Sequence, residues 1–340
     1  MRVLVSGHQG YIGSVLCPLL REQGHTVVGL DTGYFDGCDF GAAPMAVETI
    51  HRDVRDLSPR DLDGIDAVIH LAALSNDPMG QLDPRLTDAI NHRGSVRLAE
   101  LARAAGVQRF VFSSSCSMYG VGNGEALDEN ASFNPVSAYA QSKVDAERGI
   151  TALATESFSP VFLRNATAYG VSSRMRVDLV LSNLVGWALT TGEIRIMSDG
   201  SPWRPLVHIR DISAAMAAAL TAPRAAIHNQ AFNVGRDSDN YRVRDIAEIV
   251  HAAVPSSKVT YAGTGEPDRR SYRVDFTKVS TRLPGFTPAW SVERGAAEAV
   301  DAFRRHALDL SQFEGRKFIR LKQLMYLRDQ GRIDGALRWV

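Results

Sequence analysis

Along the first 165 residues, short apolar runs alternate with stretches of helical period. Val3–Val5, Thr26–Leu30, Ala67–Leu71, Phe110–Ser113 and Val161–Leu163 have strand length and are largely β-branched or aromatic. Between the first two runs, Ile12, Val15, Leu16, Leu19 and Leu20 recur every three to four residues. Gly24 stands where a glycine closes a helix. Further helices are predicted over about Pro84–Ala105 and Ala138–Thr155. Parallel strands need such helical crossovers, whose right-handed sense covers both faces of the sheet. The pattern therefore predicts an α/β fold, a Rossmann-type doubly wound parallel sheet, over residues 1–166.

Beyond residue 166 the pattern loosens. Helices are predicted at Asp178–Thr191, Ile212–Thr221 and Val243–Ala253, with short strands at Ile194–Met197, Phe232–Val234 and Lys258–Tyr261. Ser198–Pro205 and Gly263–Arg270 read as loops. Phe318, Leu321, Leu324 and Leu327 give the last 30 residues an amphipathic helical stripe, to dock on the body or to meet another subunit. This half is expected to form a smaller C-terminal α/β domain.

Composition narrows the class. The 38 Lys and Arg balance 38 Asp and Glu, which leaves no basic excess to neutralise nucleic acid. No apolar run reaches the length of a membrane span, and the N-terminus enters a strand pattern directly rather than a leader. Cys17, Cys38 and Cys116 are scattered, which suits a reducing cytoplasm, and no His/Cys spacing suggests a metal site.

The chemistry begins at the first strand-to-helix turn. Gly7, Gly10 and Gly13 leave room for a pyrophosphate to approach backbone N–H groups at a helix N-terminus. Asp31 ends the second strand, 18 residues past Gly13. A carboxylate there accepts bonds from ribose hydroxyls and repels a 2′-phosphate, so NAD is expected over NADP. Tyr139 and Lys143 share one helix face. A hydroxyl cluster, Ser113–Ser115 and Ser117, follows the fourth strand, where ligands of open α/β sheets bind.

With these residues in place, the sequence resembles the extended short-chain dehydrogenase/reductase family, in its nucleotide-sugar epimerase and dehydratase branch. The resemblance adds the Arg52-Asp53-Val54 segment, His70-Leu71-Ala72-Ala73 and Asn91, and covers nearly the whole chain. It implies Ser115, Tyr139 and Lys143 as catalytic residues. It implies Tyr11, Ile12, Asp53, Val54, Leu71, Ala72, Ala73, Asn91 and Ser113 beside the NAD, with the glycines, Asp31, Tyr139 and Lys143. On the substrate side it implies Arg204 and one of Arg269 and Arg270 as diphosphate ligands, with Ser75, Ser115, Ser117, Asn165 and Thr167 near the sugar. Residues 1–166, with a return of roughly 205–235, would hold NAD, and 167–204 with 236–340 the substrate. A homodimer is implied as well.

The family's dehydratases carry an Asp-Glu pair directly after the catalytic hydroxyl, where this sequence has Cys116 and Ser117. Without that acid and base, water elimination is disfavoured, and a C4 epimerase of nucleotide-diphosphate sugars with retained NAD is expected. A deoxysugar ketoreductase is the enzymatic alternative, and an NAD-sensing module the non-enzymatic one. In the expected chemistry the Lys143 ammonium lowers the pKa of Tyr139.

Overall fold

The computed structural model describes residues 1–261 and 270–340. Its strands are β1 (Arg2–Ser6), β2 (Thr26–Asp31), β3 (Glu48–His51), β4 (Ala67–His70), β5 (Arg109–Ser115), β6 (Val121–Leu127), β7 (Ser159–Asn165), β8 (Thr167–Tyr169), β9 (Glu193–Ile196), β10 (Trp203–His208), β11 (Gln230–Val234), β12 (Asn240–Arg242), β13 (Lys258–Tyr261) and β14 (Ser271–Val274). Seven form one sheet in the order β11-β7-β5-β4-β1-β2-β3, with every pairing parallel. The pleat sends alternate side chains to opposite faces. Val3 and Val5 join one core with the helix Ile209–Thr221, whereas Leu4 joins a second core with Leu98 and Ile150.

Strand order reverses between β1 and β4. At such a switch point the carboxyl ends of neighbouring strands splay and open a crevice. The residues that follow β1, β2, β4, β5 and β7 therefore converge on one edge of the sheet.

Several expected elements are redrawn. β3, which was not expected, is four half-exposed residues pairing only with β2 at the sheet edge, too short and polar to show an alternation. The single helix expected over Pro84–Ala105 is three pieces: Pro84–Thr87, a wider π segment Asp88–Arg93, and Gly94–Ala104. A π turn admits one extra residue, and here it swings Asn91 out toward Leu74. The helix from Ala138 ends at Thr151, because Thr155 turns back to bond with Phe158 before β7 begins.

In the second half the sheets are small: β12-β10-β8, β13-β9 and β14-β6. The first two pack on a third core that includes Tyr169, Leu206, Ile246, Val292 and Phe303, whereas Tyr272 and Val274 of β14 join the core of Val3 and Val5. The chain returns to the main sheet as β11. The expected C-terminal helix leaves out the first residue of its stripe. Phe318 lies in a short 3₁₀ turn before the α-helix Arg320–Asp329, and Gly331, in the left-handed region at φ 64°, turns the chain into a bridge between Ile333 and Trp339. Among the described residues no helix is long and apolar enough to cross a membrane, and no cluster of metal-ligating side chains is found.

Candidate active site

A single cleft runs along the carboxyl edge of the main sheet. On its wall stand Gly7, Gly10, Tyr11, Ile12 and Gly13 from the first turn, and Asp31, Asp53 and Val54 from the next two loops. Leu71, Ala72, Ala73 and Ser75 follow β4, Ser113, Ser115 and Ser117 end β5, and Asn165 and Thr167 follow β7. Tyr139, Lys143, Arg204 and Arg270 complete the expected set on the wall. Arg269 and Asp268 lie outside the described residues.

The first turn is built for close approach. Gly7 has φ 74°, and a Cβ there would come within 2.8 Å of the Ala72 amide nitrogen. A Cβ on Gly13 would lie 2.5 Å from the carbonyl oxygens of Gly7 and His8. The amides of Tyr11, Ile12 and Gly13 meet no acceptor among the described residues. They stand at the N-terminus of a ten-residue helix (Gly13–Glu22), a ready anion site. Asp31 accepts the amides of Gln9 at 3.1 Å and Gly33 at 2.9 Å, which fixes its carboxylate at the cleft end. This cradle fits a dinucleotide.

Ser137 caps the helix that carries the reactive pair, accepting the Ala140 amide at 3.1 Å. Four residues of helix put Tyr139 and Lys143 on the same side, with the ammonium 5.9 Å from the ring centroid. Lys143 is 4% exposed and donates to the Ser113 carbonyl at 2.7 Å. Burial, with no adjacent carboxylate to offset it fully, pulls the Lys143 pKa down to about 8. Burial also pushes Tyr139 up to about 12, against the pull of its hydrogen bond with Ser115. The lysine was expected to lower the tyrosine. In the protein itself desolvation of the phenolate dominates, and the charge that pulls the other way is that of Arg176.

Asn91 is not on the cleft wall. Its side chain accepts the Leu74 amide at 2.8 Å and donates to the Leu74 carbonyl and to Ser142. It braces the segment after β4 against the helix of Tyr139. Cys116 is buried, its thiol 3.0 Å from the Arg164 carbonyl and its pKa pushed far up by burial. Among the expected wall residues two atoms are orphaned: Asn165 Oδ1 and Ser117 Oγ have no hydrogen-bond partner among the described residues. Asn165 Nδ2 is spent on Ser113 at 3.0 Å, so its free oxygen is what remains to meet a ligand.

At the far end Arg204 donates to the carbonyl of Arg270, and Arg270 pairs with Asp77, which also accepts the Ser137 hydroxyl. Two guanidinium groups thus meet at one end of the cleft, while the glycine turn and Asp31 occupy the other.

Residues 3–235 match the model of the NAD dependent epimerase/dehydratase family. The chain belongs to that family. NAD is accordingly the cofactor, and the glycine cradle and Asp31 fit it. UDP-glucose 4-epimerase of Mycolicibacterium smegmatis is 30% identical over 322 residues, 89% of this chain and 99% of that protein. Among solved structures, MoeE5 in complex with UDP-glucuronic acid and NAD is 28% identical at a TM-score of 0.79, covering 90% of this chain and 99% of that one. UDP-glucose 4-epimerase of Thermotoga maritima, with UDP-glucose, is 25% identical at a TM-score of 0.78, covering 90% and 100%.

Within this epimerase/dehydratase fold, sequence reasoning missed several wall residues. Arg176 is buried beside Asp178 at 2.7 Å and donates to Ser75 at 3.2 Å, while Asp178 accepts a hydrogen bond from the Asn76 side-chain Nδ2. Arg320 and Leu324 reach the wall from the C-terminal helix. The one sequence signal was an arginine-rich run, Arg174-Met175-Arg176, in a stretch otherwise read as the approach to a helix.

Proposed function

We propose that the protein is an NAD-dependent epimerase of nucleotide-diphosphate sugars, acting at C4 with its NAD retained. The observation that carries this reading is the composition of the reactive end. Tyr139 and Ser115 share a hydrogen bond, Lys143 stands behind them, and the positions after Ser115 are a buried thiol and a hydroxyl rather than carboxyl groups. Such a site can move one proton on and off one oxygen, but lacks at Cys116 and Ser117 the acid–base pair that would expel water from a neighbouring carbon. The relatives named as UDP-glucose 4-epimerases, and the neighbour that holds UDP-glucose, support a uridine diphosphate sugar as substrate.

In this mechanism NAD, when bound, supplies the hydride acceptor and a positive ring near the tyrosine. Tyr139 takes the proton of the C4 hydroxyl and returns it after the sugar has turned. Ser115 donates to the same oxygen, which steadies it as it gains carbonyl character. The Lys143 charge, nearly complete at neutral pH, favours the phenolate that the apolar surroundings oppose. Arg204 and Arg270 hold the diphosphate while the sugar rotates, guanidinium forks being suited to phosphate oxygens. Asn165, Thr167, Ser75 and Ser117 border the sugar.

Tyr139→Phe tests the assignment. Turnover should fall by roughly 10²- to 10⁴-fold, the usual share of general acid–base catalysis, with NAD still bound. Undiminished turnover would remove Tyr139 from the mechanism.

A further inference from the structure

The C-terminal segment does more than cover apolar surface. Leu324, Leu327, Ile333 and Leu337 belong to the same core as Leu4, Val28 and Val54 of the cofactor half. Most of its polar anchors fall on the loops after β2 and β3. Gln323 donates to the Tyr34 carbonyl at 3.0 Å, and the Trp339 indole donates to the Thr32 carbonyl at 2.6 Å. Arg338 lies 3.4 Å from Asp53 and donates to Asp56 at 3.0 Å. These loops follow Asp31 and carry Asp53 and Val54, so the segment crosses the end of the cleft where the ribose of the cofactor is expected.

Arg320 stands apart from its neighbours. Arg174 is paired with Asp36 at 3.3 Å and Arg176 with Asp178 at 2.7 Å. Arg320 is only 2% exposed yet makes no ion pair among the described residues. One amino group donates to the Arg174 carbonyl at 2.6 Å, its plane lies 4.2 Å over the Phe35 ring, and its other amino group, Nη1, has no partner. Burial and the charges of Arg176 and Arg174 pull its pKa down to about 10, against the attraction of Asp178, whose carboxylate is already paired with Arg176. A buried cation on a cleft wall with no ion pair of its own calls for an anionic ligand.

We propose that residues 310–340 form a strap over the cofactor and that Arg320 is a ligand of the NAD diphosphate, holding the cofactor in the cleft between turnovers. The anion could in principle be either of two diphosphates, that of NAD or that of the sugar nucleotide. Phe35, and Arg174 with its partner Asp36, tie Arg320 to the loop after Asp31 at the cofactor end, whereas Arg204 meets Arg270 beside Asp77. The inference rests on NAD as cofactor and gives the proposed retention a physical cause, and its main readout, NAD exchange, needs no turnover of a sugar nucleotide.

The experiment compares purified holoenzyme with Arg320→Gln, Arg320→Lys and Trp339→Ala. NAD is quantified after gel filtration and denaturation, and its exchange is followed with a fluorescent NAD analogue. Wild type should keep its NAD. Arg320→Gln should exchange at least tenfold faster, as expected on losing a charge-assisted bond, with Arg320→Lys between the two. Trp339→Ala, whose side chain is outside the cleft, should also speed exchange by loosening the strap. If Arg320→Gln does not fold, the Lys and Trp339 variants carry the same comparison. Unchanged NAD content and exchange in these variants would overturn the proposal. So would a rise in KM for the sugar nucleotide with NAD exchange unaltered, since Arg320 would then serve the other diphosphate.

Discussion

Lys143 is a cation that the fold carries at a cost, and the cost can be measured. The ammonium is 4% exposed, and its pKa is about 8 in the folded protein against an ordinary 10.5. The unfolded chain therefore keeps this proton up to about pH 10.5, while the folded chain releases it near pH 8. Between those values the unfolded state binds more protons, so the Lys143 penalty is full below pH 8 and fades as pH rises toward 10.5. Lys143→Met removes the titration. It also changes packing and loses the bond to the Ser113 carbonyl, but those terms do not vary with pH and cancel when the two proteins are compared at two pH values. Linkage gives a change on the order of 2–3 kcal/mol in the stability difference between pH 7 and pH 10, in the direction that favours wild type as pH rises. Urea unfolding of both proteins, stripped of NAD, reads this directly. A stability difference that stays flat within about 0.5 kcal/mol over that range would show that the ammonium is not desolvated, and would refute the electrostatic picture of the site.

Two further substitutions probe the frame and the cofactor end. Glu147 and Arg164 form a buried ion pair at 2.8 Å that ties the helix of Tyr139 and Lys143 to β7. Glu147→Ala strands the Arg164 charge and should cost about 3–5 kcal/mol in urea unfolding; a loss below about 1 kcal/mol would mean that water reaches the arginine. Asp31→Ala removes the proposed ribose acceptor and the charge expected to repel a 2′-phosphate. NAD affinity should fall and the preference over NADP should narrow in a fluorescence titration, and an unaltered ratio would count against the role of Asp31.

The parts of the site that follow a strand were legible in the sequence, because an apolar run sets where a strand stops and the glycines, Asp31 and Ser113–Ser115 come immediately after. Tyr139 and Lys143 were legible for a similar reason, being one helical turn apart. Arg176 and Arg320 were not. Each reaches the cleft from a segment whose local pattern says only that it is polar, and nothing in such a pattern tells a buried arginine from an exposed one. The π segment was hidden because one inserted residue barely disturbs a helical period, although it decides where Asn91 points. The strap was read as an amphipathic helix to be docked, which fits its apolar contacts but not its polar side, where Arg320 faces the cleft.

The account stands on one claim, that a single carbon of a nucleotide sugar is oxidised and reduced again on the same enzyme-held NAD. The most direct measurement uses UDP-glucose carrying deuterium at C4, incubated with purified holoenzyme without added NAD and followed by NMR. The account predicts a new anomeric signal from the C4 epimer, with the deuterium retained at C4 and no net change in nicotinamide absorbance. A dehydrated or oxidised product, or an epimer whose C4 label has been lost, would contradict it.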